Sequence, residues 1–123
     1  MKTSKTAKAS TPWREETLAG WGLRNVATCR TATPERVEDV GEILEQVARE
    51  GDTIGLRGSG CSYGDAALNS GAVVLNLSRL NHILEWDAAT GLVTVEPGVT
   101  ISVLWRHIIS SDGGRRWFQV PAR

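Results

Sequence analysis

Three glycines crowd one short stretch of the chain: Gly58, Gly60 and Gly64, within Arg57-Gly58-Ser59-Gly60-Cys61-Ser62-Tyr63-Gly64-Asp65. Without a Cβ, such positions reach positive φ and let the backbone approach a bound group closely. Successive amide hydrogens in a turn of this kind form a concave nest for an anion, and phosphate is the usual guest. The plain alternative is a tight structural turn between two strands.

Two familiar phosphate loops do not fit. A Walker loop ends in Gly-Lys-Ser/Thr, whereas Gly64 is followed by Asp65, so the lysine that would meet the phosphates is missing. A Rossmann loop needs G-x-G-x-x-G opening a crossover helix, but the spacing here is G-x-G-x-x-x-G. Only Asp65 to Gly71 separate the loop from the next apolar run, and a parallel crossover takes about a dozen residues or more. A strand–nest–strand phosphate site remains.

Other residues with chemical potential point to ordinary roles. His82 and His107 have no carboxylate or second histidine at ligand spacing, so surface or helix-face positions are expected. Glu45 and Arg49 fit a solvated i, i+4 pair. Trp86, Trp105 and Trp117 suit a core or an interface better than a ligand platform. Arg115-Arg116 is too short to argue for nucleic acid. Cys29 and Cys61 form no CxxC, which points to a reducing, cytoplasmic setting.

The elements that must position the loop follow from periodicity. Thr33 and Pro34 have the character of a helix start, and Val37, Val40, Ile43, Leu44, Val47 and Ala48 recur at three and four until Gly51. Short strands are predicted over 53–56, directly before the loop, and over 72–77 after it. Residues 83–87 and 92–96 alternate around Ala88-Ala89-Thr90-Gly91 and predict a hairpin. Pro97-Gly98 breaks it. Thr100 then caps a second helix with Ile101, Leu104, Trp105 and Ile108 on one face, stopped by Gly113-Gly114, and 115–123 reads as the start of a strand. The order is that of an α+β fold, a mixed sheet with packed helices.

Composition sets the outer limits. A chain of 123 residues has room for one folding unit, and 41% hydrophobic with 23% charged residues is ordinary globular composition. Fourteen basic residues against fourteen acidic ones give a net charge of +0, which disfavours nucleic-acid binding by charge. No apolar run is long enough for a signal peptide or a membrane span. Residues 1–15 read as a disordered tail, leaving 16–123 as the folded part.

The segment from Leu56 to Asp65, followed by Asn69 and Val74-Leu75-Asn76-Leu77, resembles the pyrophosphate loop of the FAD-linked oxidases of the vanillyl-alcohol oxidase type, whose FAD domain is called PCMH-type. The likeness is strongest to the decaprenylphosphoryl-ribose oxidase and sugar-alcohol oxidase branch, where RG-x-G-x-SYGD is typical. It runs from the Gly-Trp-Gly around Trp21 to Trp117, and the SYGD run makes it more specific than G-x-G alone.

The resemblance implies an FAD-dependent oxidoreductase acting on the CH–OH group of a sugar or alcohol, with 16–123 as the first part of its FAD domain. Arg57, Gly58, Ser59, Gly60, Cys61, Ser62, Tyr63, Gly64, Asp65 and Ala66 would then be the cofactor cradle. Ser62 and Tyr63 would donate to the phosphates or ribose. Asp65 would organise the loop, because a carboxylate beside a diphosphate repels it. Cys61 stands where many covalent members carry a flavin-bonding histidine; the expectation here is a small buried thiol and non-covalent FAD. The family continues with Gly-Thr and Thr-x-Gly-Gly where this chain reads Ala122-Arg123, so the second half of the FAD domain, the substrate domain and the catalytic base lie outside it. The expected partners are that missing half or a second copy of the chain. The rival expectation is a non-catalytic remnant that binds a nucleotide or a partner.

Overall fold

The structure, a computed structural model, describes residues 13–111. Strands β1 (Arg14–Ala19) and β2 (Val26–Ala32) lead into helix α1 (Val37–Glu50), followed by β3 (Ile54–Arg57) and β4 (Val73–Asn76). Strands β5 (Ile83–Asp87) and β6 (Leu92–Val95) and helix α2 (Ile101–Ser111) complete it. The first four strands form one sheet in the order β1-β2-β4-β3, antiparallel between β1 and β2 and parallel elsewhere. Strands β5 and β6 make a separate antiparallel pair. The α+β fold with a mixed sheet is as the sequence implies.

Strand β4 is central because both its faces are apolar. Val73 and Leu75 join Ala32 of β2 under Ile43 and Val47 of α1, with Trp13, Val40, Ile54 and Leu77 at the margin. Val74, pointing the other way, packs with Ala27 and Cys29, and this second face is closed by Leu18 and by Leu68 from the segment between β3 and β4. That segment therefore covers the sheet with irregular backbone where a Rossmann fold would place a helix. Strands β3 and β4 are nevertheless parallel, against the length argument from the sequence: the crossover runs over all fifteen residues, 58–72, with the glycine-rich stretch part of it, and not over 65–71 alone.

Several expectations shift. Strands β1 and β2 were not foreseen, and Arg14 and Glu15, assigned to the tail, lie in β1. Helix α1 begins at Val37: Pro34 is fully buried before it, Arg36 is the extended N-cap, and no side-chain oxygen caps the helix. The Arg36 guanidinium instead holds Asp39 at 2.8 Å, across the first turn. At the other end, the amides of Gly51 and Asp52 donate to Ala48 and Val47. Arg49 turns to the backbone carbonyl of Glu45, while Glu50 pairs with Arg30 and accepts from Gln46. In α2, the Thr100 hydroxyl accepts from the Val103 amide as a cap, and Leu104 and Ile108 are buried. Ile101 and Trp105, expected on the same face, are exposed. The Gly113-Gly114 stop, Trp117 and the 115–123 strand lie outside the described residues.

The expected hairpin forms, with Trp86 opposite Val93 and a register shift between Ile83 and Glu85. The Asp87 carboxylate accepts from the Ala89 amide at 2.8 Å and the Thr90 hydroxyl at 2.6 Å, and so shapes the turn. Gly98 then presses its backbone against the 77–80 turn, donating to the Leu80 carbonyl at 2.7 Å.

Candidate functional site

The glycine-rich segment leaves β3 at Arg57 and crosses one end of the sheet as an exposed loop. From Gly58 to Ala66, no backbone amide donates to a carbonyl or side chain among the described residues; the first that does is Leu68, to the Asp65 carbonyl at 2.9 Å. Gly60 at φ +75 and Gly64 at φ +63 hold the left-handed backbone that only glycine adopts without cost. A Cβ on Gly58 or Gly64 would meet nothing within 4 Å, so the space above both is open. A row of solvated amides on a turning backbone is a receptor for oxyanions.

Beneath this row lies Arg57. Its Nη1 donates to the carbonyls of Ala19 at 3.1 Å and Ala67 at 3.3 Å, and a Cβ on Gly60 would come within 2.8 Å of its Cζ. Among the described residues no carboxylate pairs with it, so its charge stays available to the loop above. The Asp65 carboxylate accepts from Asn25 Nδ2 at 2.6 Å and is thereby turned toward the β1–β2 connection.

Ser59, Cys61, Ser62, Tyr63 and Ala66 are exposed on the loop, Tyr63 at 85%. Cys61 is thus not the buried thiol expected; that description fits Cys29, which is 1% exposed in the sheet.

Of the other candidates, Trp86 is half-buried in the hairpin and Trp105 is exposed. His107 is exposed on α2. His82 is not isolated: its ring Nδ1 lies 2.7 Å from Glu96, which the hairpin register brings alongside. Among the described residues, no group of three or more His, Cys, Asp or Glu is placed to hold a metal ion. Likewise, no helix there is long and apolar enough to cross a membrane. Sequence reasoning missed Gly20 and Asn25, which touch the loop from about 40 residues away; the Gly-Trp-Gly at 20–22 was the one trace of them.

Comparison with known proteins places the chain in a family. Residues 30–115 match the family model described as FAD binding domain. An uncharacterized FAD-linked oxidoreductase of Mycobacterium tuberculosis is 31% identical over 108 residues, 87% of this chain and 22% of that protein. Decaprenylphosphoryl-beta-D-ribose oxidase of Mycolicibacterium smegmatis is 32% identical over 96 residues, 77% of this chain and 21% of that protein. The chain thus spans about a fifth of the length of these curated relatives. In fold it is similar to cholesterol oxidase from B. sterolicum, with a TM-score of 0.72 at 16% identity over 90% of this chain and 22% of that one. It is also similar to the flavoenzyme CrmK of caerulomycin biosynthesis, with a TM-score of 0.64 at 24% identity over 76% of this chain and 19% of that one. With more than half of its length matched, the chain belongs to the FAD-binding domain family of FAD-linked oxidoreductases, and FAD is its cofactor.

Proposed function

We propose that Arg57 to Ala66 hold the pyrophosphate of FAD, in an oxidoreductase that acts on the CH–OH group of a sugar or alcohol. The observation that carries this reading is the run of amides from Gly58 to Ala66 that donate nowhere else among the described residues. A diphosphate needs several convergent donors and tolerates no side chain pressing in, and the open space above Gly58 and Gly64 meets that need. The Arg57 guanidinium adds positive potential from below. The hydroxyls of Ser62 and Tyr63, both exposed on the same loop, serve as further donors. Asp65, engaged by Asn25, keeps its charge off the anion.

Bound flavin supplies the capacity to accept a hydride from a substrate carbon, and the protein's share is to hold and orient it. The sugar class is supported by relatives named for decaprenylphosphoryl-ribose and for L-gulono-1,4-lactone, the latter 34% identical over 71 residues. In this reading the chain from β1 onward forms the first part of an FAD domain, and the remaining part and the substrate domain supply the catalytic base. In the same reading FAD is held non-covalently and the protein is cytoplasmic.

Titration of the chain with FAD, followed by flavin fluorescence, tests the site. Gly58→Asp adds a carboxylate where a Cβ meets no atom, so the fold should stand while FAD affinity falls at least about tenfold. Equal affinity in the folded variant would move the pyrophosphate off this loop.

A further inference from the structure

The connection between β1 and β2 touches the loop at two points, and the end of β1 meets its start at a third. Gly20, buried, lies so close that a Cβ there would stand 3.0 Å from the Gly64 carbonyl. Asn25 donates to Asp65 at 2.6 Å, and Arg57 reaches the Ala19 carbonyl at 3.1 Å. The connection is itself fixed: the Gly20 amide donates to the Asn25 carbonyl at 2.9 Å and the Leu23 amide to the Gly20 carbonyl at 3.0 Å. Leu23 holds φ +55, a conformation disfavoured for a bulky side chain, although that side chain is 78% exposed and gains nothing by packing. The turn hydrogen bond from the Leu23 amide to Gly20 holds this residue in the left-handed conformation and so keeps the connection in one shape.

We propose that residues Gly20 to Asn25 are the platform that sets the shape of the 57–66 loop for its ligand, with Asn25 and Gly20 as positioning residues that do not themselves touch FAD. The proposal rests on the pyrophosphate reading above. The Gly64 carbonyl seats on the bare Cα of Gly20, which fixes the peptide plane from which the next amide projects. Asn25 draws the Asp65 carboxylate outward, and Arg57 pins the start of the loop to the end of β1. The amides can then face solvent together without bonding to one another.

The test compares FAD affinity with melting temperature in the whole chain. Asn25→Ala should weaken FAD binding about tenfold, the scale of one hydrogen bond to a charged group, with the melting temperature held within a few degrees. Asn25→Asp, which sets two carboxylates face to face, should lose at least as much. Adding Asp65→Asn restores the bond with its ends exchanged and should return affinity to within about threefold of the parent. Failure of that reversal would indicate that Asp65 meets the cofactor directly, and would overturn the proposal. So would an Asn25→Ala chain that binds FAD as tightly as the parent, and in that case the pyrophosphate reading stands. A parent chain that binds no FAD would sink both. If Asn25→Ala fails to fold, Gly20→Ala carries the same test, because its methyl presses on the Gly64 carbonyl: weaker FAD binding supports the platform and unchanged binding refutes it.

Discussion

Glu96 and His82 are joined by three contacts. One Glu96 carboxylate oxygen accepts from the His82 amide at 2.8 Å and lies 2.7 Å from its ring Nδ1, while the Glu96 amide donates to the His82 carbonyl at 2.9 Å. The clasp fastens the far end of the hairpin to the turn that leaves β4. The backbone bond from His82 is the main cause holding the Glu96 carboxyl below its ordinary value, with the ring contact adding to it. Asp39 is lowered through Arg36, and Glu50 through Gln46 and then Arg30. A carboxyl lowered on folding stabilises the fold above its unfolded pKa and loses that contribution as pH falls through its folded one. The melting temperature should therefore drop as pH is taken below the ordinary carboxylate range, and Glu96→Gln should flatten part of that slope. A melting series across acid pH checks it; an unchanged slope would remove Glu96 from the account.

Gly98 should resist substitution. A Cβ there would stand 2.6 Å from the Leu80 carbonyl oxygen and 3.0 Å from Ser78 C, both backbone atoms with no flexible end to yield. Gly98→Ala is expected to cost about 1–3 kcal/mol by overpacking, measured by urea denaturation.

The central strand carries the core. Leu75→Ala, at a side chain 1% exposed between β4 and α1, should destabilise the fold by about 2–5 kcal/mol. Leu84→Ala, 61% exposed on β5, should stay within about 0.5 kcal/mol in the same denaturation experiment.

The two thiols should separate cleanly. Cys61, exposed on the loop, is expected to react at once with a thiol reagent, and Cys29 only on unfolding. Bound FAD should slow the Cys61 reaction, and acid precipitation should then release all the flavin. Flavin retained on the protein would show a covalent bond.

The parts legible in the sequence were those fixed by local periodicity or by turn chemistry. The apolar positions of α1, the alternation of β5 and β6 and the Thr100 cap each lie within a few residues of one another. Strand β2 escaped because Val-Ala-Thr-Cys-Arg-Thr-Ala has small side chains and no strong alternation; it is a strand because Arg30 to Ala32 pair with Val73 to Leu75. Strand β1 is polar and lies at the sheet edge, where only its pairing with β2 defines it. Thr33-Pro34 mimicked a helix start, but the chain buries Pro34 first and turns helical only at Val37. The glycine loop was visible as a run of types, whereas its supports at Gly20 and Asn25 were not, since proximity across such a separation leaves no local pattern. The same holds for His82 and Glu96, which meet only once the hairpin sets their register.

The 58–72 segment has two halves with different work: the first offers amides to solvent, and the second lays Leu68 against Val74 and Cys29 as part of the core. Ligand grip and unfolding are thus written on one length of backbone. Whatever immobilises the first half also restrains the second, so occupancy should be transmitted to the whole molecule as resistance to heat, growing with the logarithm of ligand concentration.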